Sequence, residues 1–162
     1  MKGFRSYRLT GAILGVLTVV GSLHARAQVP PPQIGQAWVD FWNSRDVNLA
    51  ATLFTNDVFY EDVTLGAVNH GILELQAFAE FYFSTAPPDA RFDLVASQIR
   101  GQHGYIEWVW TVPTDTFFGT GKPFSVRGVT AIDLDGNKIA RNSDYWDLAT
   151  VFRQIGLLPP GR

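Results

Sequence analysis

The fold is decided by residues 122–156, whose sequence is KPFSVRGVTAIDLDGNKIARNSDYWDLATVFRQIG. Over residues 124–134 two sets of side chains alternate along the chain, as they do in a β-strand. Asp135-Gly136 supplies residues that accept a tight turn, and residues 139–146 return as the partner strand. Asp147 then stands where a helix cap is needed, ahead of an apolar stripe at helical spacing. The stretch predicts an antiparallel hairpin followed at once by a helix.

Hydrophobic periodicity places the remaining elements around this hairpin. The predicted helices cover residues 34–45, 46–53, 72–85 and 147–155. The predicted strands cover residues 58–63, 91–100, 105–112, 124–134 and 139–146, with a loop over residues 65–71. Helices segregated to one side of a curved antiparallel sheet make an α+β fold. We therefore predict one α+β domain over residues 34–158, with three to four helices on a curved antiparallel sheet.

The first 27 residues have the pattern of a secretory signal peptide. A basic start precedes an apolar core over residues 11–23, and Ala25-Arg26-Ala27 offers a small-x-small cleavage site. We predict cleavage after Ala27, a Pro-rich leader over residues 28–33, and an exported protein, periplasmic or secreted, that is not attached to a membrane. An uncleaved membrane anchor is the alternative.

Composition limits the possible functions. The chain has no cysteine, which excludes disulfides and thiolate chemistry. Its three histidines are scattered without ligand spacing, so we predict no metal site. Without the four basic residues of the predicted signal peptide, nine basic residues face 15 acidic ones, a net charge of −6. This balance argues against a nucleic-acid partner, and with no Gly-rich phosphate loop we predict no cofactor.

Five sequence motifs resemble the SnoaL-like polyketide cyclase group of the nuclear transport factor 2-like (NTF2-like) superfamily. They are VFYED at residues 58–62, NHG at 69–71, FSVRGV at 124–129, DGNKI at 135–139 and SDYWDL at 143–148. The resemblance implies a cone-shaped NTF2-like fold. It also implies that Asp144 is a pocket carboxylate that acts as general acid and base.

Asp144 is the candidate catalytic residue. A carboxylate that faces an aromatic cavity loses hydration, so its pKa rises and it can exchange a proton near neutral pH. The alternative is a structural carboxylate at the end of a strand. Tyr60 and Asp62 alternate onto one face of the first predicted strand and are candidate ligand contacts. The candidate aromatic walls of the pocket are Trp108, Trp110 and Trp146.

Epoxide hydrolysis is disfavoured by the same resemblance. The limonene epoxide hydrolase relatives need an Arg and a second Asp two residues apart on the middle strand, where this chain has Trp108 and Trp110. Tyr60 is retained, and Asp62 replaces an Asn of those relatives. A register slip of one residue would instead bring Glu107 inward.

Two registers of the hairpin are possible, and they differ in where Arg127 points. A strict two-residue turn at Asp135-Gly136 places Arg127 opposite Asp144, as an ion-pair partner. A bulged turn places Thr130 on the face of Asp144 and turns Arg127 outward, toward Glu107. Arg127 and Thr130 are therefore both candidate ligand contacts, and the relatives favour the bulged register.

The sequence favours an enzyme of cyclase or isomerase type that performs cofactor-free acid–base chemistry on a small hydrophobic carbonyl compound. The alternative is a non-catalytic module with the same fold that binds a hydrophobic ligand or dimerises. We also predict a homodimer through the outer face of the sheet, because that face carries Val95, Tyr105, Val109, Val129 and Tyr145 among charged residues.

Overall fold

The computed structural model describes residues 32–161, so the predicted signal peptide and most of the predicted leader lie outside the described residues. The helices are α1 (Pro32–Ser44), α2 (Ala50–Leu53), α3 (Ile72–Thr85) and α4 (Leu148–Ile155), with a 3₁₀ turn at Val47–Leu49. The strands are β1 (Phe54–Asp62), β2 (Ala67–His70), β3 (Arg91–Arg100), β4 (His103–Val112), β5 (Phe124–Asp135) and β6 (Lys138–Trp146). No helix of the described part is long and apolar enough to cross a bilayer.

The six strands form one open, curved sheet in the order β2-β1-β6-β5-β4-β3. The prediction of an α+β domain with four helices is confirmed. The predicted antiparallel strands β3 to β6 pair as expected, and the sheet as a whole is mixed because β1 pairs with β6 in parallel. These two strands are joined by a long connection rather than a tight turn, so local sequence does not set their relative direction. The edge strand β2 was predicted as a loop, since four residues are too few to show a strand pattern.

The β5–β6 hairpin contains a bulge that sets its register. Asp135 pairs with Lys138 around the turn, and the register shifts by one residue between Asp133 and Leu134. Thr130 consequently lies directly opposite Asp144. Arg127 lies on the outer face, where its Nη1 is 3.2 Å from Glu107 Oε1. This is the bulged arrangement, and it keeps a cation away from Asp144.

The inner face of the sheet carries the core. Alternate residues of β5 are buried, as its alternation predicts: Phe124, Val126, Gly128, Thr130, Ile132 and Leu134. Helix α1 packs against β3 with its predicted apolar stripe buried. Asp147 caps α4 by accepting a hydrogen bond from the backbone N–H of Thr150, and Gly156 ends that helix in the left-handed conformation. These elements leave a partly open space above the inner face.

Candidate active site

The space above the inner face is a cavity of about 240 Å³. All five tryptophans of the chain line it. The lining residues are Trp38, Trp42, Tyr60, Asp62, Leu65, Phe78, Phe81, Tyr82, Thr85, Phe92, Trp108, Trp110, Phe117, Phe118, Asp144 and Trp146. Twelve of these are aromatic and only two are charged, so the cavity suits a small, largely apolar molecule.

Asp144 lies in the wall of this cavity with 4% of its surface exposed. Its Oδ1 accepts hydrogen bonds from Thr130 Oγ1 at 2.6 Å and from Asn142 Nδ2 at 2.8 Å. Its Oδ2 is paired with the hydroxyl of Tyr60. One carboxylate oxygen is thus held by two donors and the other by one. Oδ2 is therefore the oxygen with more capacity left for a proton.

Two tryptophans fix the orientation of the groups that hold Asp144. Trp108 Nε1 donates to Thr130 Oγ1 at 2.8 Å, and Trp38 Nε1 donates to Asn142 Oδ1 at 2.9 Å. An indole N–H can only donate. The Thr130 hydroxyl must therefore point its own hydrogen at Asp144, and the Asn142 amide must turn its NH₂ group toward the same oxygen.

Asp62 is the second carboxyl group of the cavity. It lies opposite Asp144 on the parallel β1–β6 pair and is 7% exposed. Its oxygens accept from Trp146 Nε1 at 3.1 and 3.2 Å, and Oδ1 also accepts from the backbone N–H of Leu65 at 2.9 Å. Burial raises the pKa of Asp62, although these hydrogen bonds oppose the rise.

Burial also raises the pKa of Asp144, to about 7. Hydrogen bonds from Thr130, Tyr60 and Asn142 oppose the rise, and the nearby charge of Asp62 adds to it. The pKa of Tyr60 is raised well above its ordinary value by burial and by Asp144, so its phenol stays protonated. Asp144 can therefore both accept and release a proton near neutral pH.

Tyr82 supplies a second hydroxyl to the cavity. The hydrogen bond that the structure shows at this oxygen is one it accepts, from Trp110 Nε1 at 3.1 Å. Burial raises the pKa of Tyr82, so the hydroxyl keeps its hydrogen. This hydrogen is available to an oxygen atom of a molecule in the cavity.

The loop between β4 and β5 closes one wall of the cavity. Asp115, 2% exposed, accepts hydrogen bonds from the backbone N–H groups of Phe117, Phe118 and Thr120, each at 3.0 Å. Phe117 then stacks on Tyr82, with 5.7 Å between the ring centroids. One buried carboxylate thus positions two aromatic side chains of the wall.

Most of the predicted site residues come together in the structure. Tyr60, Asp62, Trp108, Trp110 and Trp146 line the same cavity as Asp144. Thr130 is fully buried and holds Asp144. Arg127 is the exception, because the bulge turns it to the outer face, and the prediction that it contacts a ligand in the pocket is wrong on geometric grounds.

Asn142 and Tyr82 were missed by the sequence analysis. Asn142 stands two residues before Asp144 on the same strand, and this spacing could have indicated it. Tyr82 lies among the apolar residues of the predicted third helix, and this pattern does not indicate that its hydroxyl belongs to a site.

The middle strand lacks the groups that epoxide opening needs. Trp108 and Trp110 both face the cavity, as predicted. Glu107 points to the outer face and pairs with Arg127 there, so the register slip that would bring Glu107 inward does not occur.

The site thus consists of a buried carboxyl group in an aromatic cavity on a curved α+β sheet. Residues 33–155 match the family model of the SnoaL-like polyketide cyclases. The chain belongs to this family. A search of curated protein sequences found no match.

Solved structures share the fold. One is a hypothetical protein with a ketosteroid isomerase-like fold from Catenulispora acidiphila, in complex with trimethylamine. It is 26% identical, with a TM-score of 0.68, and the match covers 77% of this chain and 93% of that one. Two others, from Jannaschia sp. and Shewanella denitrificans, are assigned to the SnoaL-like polyketide cyclases. They are 16% and 17% identical, each with a TM-score of 0.65, and the matches cover 83% and 78% of this chain and 99% and 96% of theirs.

Proposed function

We propose that this protein performs cofactor-free acid–base chemistry of cyclase or isomerase type on a small hydrophobic carbonyl compound. The observation that carries the proposal is Asp144, a buried carboxyl group in an aromatic cavity whose pKa is raised to about 7. The resemblance of the motif around Asp144 to the family supports the same role.

The chemical step begins with a C–H bond next to the carbonyl group of the substrate. Asp144 accepts this proton at Oδ2, because Oδ1 already accepts two hydrogen bonds. The electron pair of the broken bond moves toward the carbonyl oxygen and forms an enolate. In an isomerisation, a double bond conjugated with the enolate shifts as Asp144 returns the proton to the far carbon of the conjugated system. In a cyclisation, the enolate carbon attacks a second carbonyl group, the π electrons of that group move to its oxygen, and Asp144 donates the proton to the resulting alkoxide.

The carbonyl oxygen needs a donor while it carries negative charge. We assign this role to the Tyr82 hydroxyl, whose hydrogen is available and whose oxygen is polarised by the N–H of Trp110. Tyr60 keeps its proton and holds Asp144 Oδ2, so it positions the base rather than replacing it.

Exchange of substrate protons with solvent tests the proposal. A panel of small cyclic and aromatic ketones is incubated with the protein in D₂O, and loss of the α-proton signal is followed by NMR. We expect Asp144→Asn to abolish the exchange and Tyr82→Phe to slow it about tenfold or more. A panel that binds but shows no exchange, or exchange that survives Asp144→Asn, would refute the catalytic role.

A binding module without turnover is the second candidate. The absence of the Arg–Asp pair from the middle strand and the bulk of Trp108 and Trp110 favour it. The Catenulispora structure is a complex with trimethylamine, which supports binding of a small organic molecule by this fold. Saturable quenching of tryptophan fluorescence by compounds that undergo no exchange would select this candidate.

We also propose that the protein is exported and that it forms a homodimer. The basic, apolar and small-x-small pattern of residues 1–27 supports cleavage after Ala27, and mass spectrometry of the exported protein should find Gln28 at its N-terminus. Val95, Tyr105, Val129 and Tyr145 are exposed on the outer face of the sheet, which supports a homodimer through that face.

A further inference from the structure

The two carboxyl groups of the cavity, Asp62 and Asp144, define what we call its acidic end. No Lys, Arg or His is among the residues that line the cavity in the described part of the chain. The ion pairs that the structure shows are Arg91–Asp93, His103–Asp133 and Arg127–Glu107, and each has at least one exposed partner. The acidic end therefore faces the cavity without a counter-ion from those lining residues.

Every hydrogen bond that the structure shows at the acidic end comes from a neutral group. Asp144 is held by Tyr60, Thr130 and Asn142. Asp62 is held by the indole of Trp146 and a backbone N–H. Neutral donors stabilise a carboxylate less than a cation does, and buried charges in proteins are normally paired. A positive charge placed in the cavity would supply the missing pair.

The walls of the cavity also suit a particular kind of cation. Twelve aromatic residues line the cavity that contains the acidic end. The electron-rich faces of such rings attract substituted ammonium groups, and the rings also pack against the alkyl carbons of those groups. A primary ammonium carries three N–H donors that these apolar walls cannot satisfy. An alkylated ammonium has one such donor or none.

We propose that the natural ligand carries a tertiary or quaternary ammonium group, seated between the aromatic walls with its charge at the acidic end formed by Asp62 and Asp144. This inference rests on the proposed function only in that the cavity must hold a small organic molecule. It narrows the substrate class to carbonyl compounds that bear an alkylated ammonium group.

The test compares choline with 3,3-dimethylbutan-1-ol, which has the same shape but carbon in place of the charged nitrogen. Because all five tryptophans line the cavity, their fluorescence reports its occupancy, and calorimetry gives the dissociation constants. At pH 8 we expect choline to bind about tenfold or more tightly than the alcohol.

Single substitutions test whether the preference for choline over the alcohol comes from Asp62 and Asp144. Asp62→Asn and Asp144→Asn should each weaken choline binding at least severalfold and leave the alcohol unchanged, so that the double variant no longer discriminates. Asp93→Asn is the matched control, since Asp93 is exposed and paired with Arg91 on the surface. It should bind both compounds like the wild type.

The pH dependence gives a second readout. The titratable groups nearest Asp144 are Tyr60 and Asp62, both on β1, and Tyr82 on α3 lines the same cavity. A cation favours the ionised carboxylate, so choline affinity should rise from pH 6 to pH 8, while the affinity for the alcohol stays constant.

Two results would overturn the inference, and they separate it from the proposed function. Equal affinities for choline and the alcohol in the wild type would refute a cationic ligand, whatever the variants do, and would leave acid–base chemistry on neutral ketones standing. If choline does not bind at millimolar concentration, the inference also fails. The proposed function fails with it only if the ketone panel neither binds nor exchanges.

Discussion

Asp144 combines two properties that oppose each other, burial and a high density of donors. Burial disfavours its charged form, and the three neutral side chains that bond to it only partly compensate, so its pKa rises to about 7. The ionised form of Asp144 therefore destabilises the folded state, whereas the protonated form does not. This cost should be visible in the stability of the protein as well as in its chemistry.

The free energy of unfolding should fall as the pH rises from about 4 to 7, and Asp144 should contribute roughly 1 kcal/mol per pH unit to this fall. The sign follows because the folded state holds the proton over a range in which the unfolded state has released it. Asp144→Asn keeps one acceptor and one donor in the places of the protonated acid, so it should flatten the profile and be about 1–3 kcal/mol more stable than the wild type at pH 8. Urea unfolding from pH 5 to 8 measures this, with Asp93→Asn as the surface control. An Asp144→Asn protein that is less stable at pH 8 would contradict the account.

Substitutions at Thr130 test the hydrogen-bond network that holds Asp144. Its hydroxyl accepts from Trp108 Nε1 and donates to Asp144 Oδ1. Thr130→Val should cost about 1–3 kcal/mol of unfolding free energy, because it strands a buried indole N–H. It should also raise the pKa of Asp144 further, by removing a donor to its charged form. Thr130→Ser preserves both bonds and should cost much less. If Thr130→Ser costs as much as Thr130→Val or more, the two hydrogen bonds of the hydroxyl do not have the stabilising role assigned to them here.

At the scale of elements, the indole of Trp108 on β4 lies so close to the backbone of β5 that the opposite position, Gly128, has no room for a side chain. A Cβ added to Gly128 would lie 2.2 Å from Trp108 Cη2. The indole of Trp108 cannot easily yield, since it is stacked on Trp38 and meets the edge of Phe92. The lack of a side chain at Gly128 thus allows the Trp108 indole to lie against β5 and sets the position of this side of the cavity.

Gly128→Ala should therefore destabilise the protein by about 1–3 kcal/mol and alter ligand affinity. The matched experiment repeats the change in a Trp108→Phe background, where the clashing atoms of the indole are gone. The cost of Gly128→Ala should be smaller there, which a double-mutant cycle by chemical denaturation detects. Additive costs would show that the clash with Trp108 is not the reason for glycine.

At the scale of the whole molecule, the outer face of the sheet should form the homodimer interface. Val129 is 38% exposed at the centre of this face, between Tyr105 and Tyr145. Val129→Glu should convert the dimer to a monomer in light scattering at micromolar concentration. Leu73→Glu, at an exposed position at the start of α3, is the control and should leave the dimer intact. A monomeric wild type, or a dimer unaffected by Val129→Glu, would refute the proposed interface.

Sequence patterns predicted the parts of this structure that depend on local spacing. The inner and outer faces of β5 follow from a period of two residues, and the cap at Asp147 follows from its place before an apolar stripe of helical spacing. The pocket position of Asp144 follows from the resemblance of its motif to the family. The parallel pairing of β1 with β6 was not predicted, because it joins residues far apart in the chain. The sequence also left two registers of the hairpin open, with the relatives favouring the bulged one, and the register decides that Thr130 rather than Arg127 bonds to Asp144.

The central claim is that Asp144 is a buried carboxyl group that exchanges its proton near neutral pH. Carbon NMR of protein labelled at the aspartate carboxyl carbons measures this most directly, since the resonance absent from Asp144→Asn identifies the residue. The account predicts that this resonance titrates with a pKa of about 7. A carboxyl group that titrates near pH 4, like an ordinary surface aspartate, would contradict it.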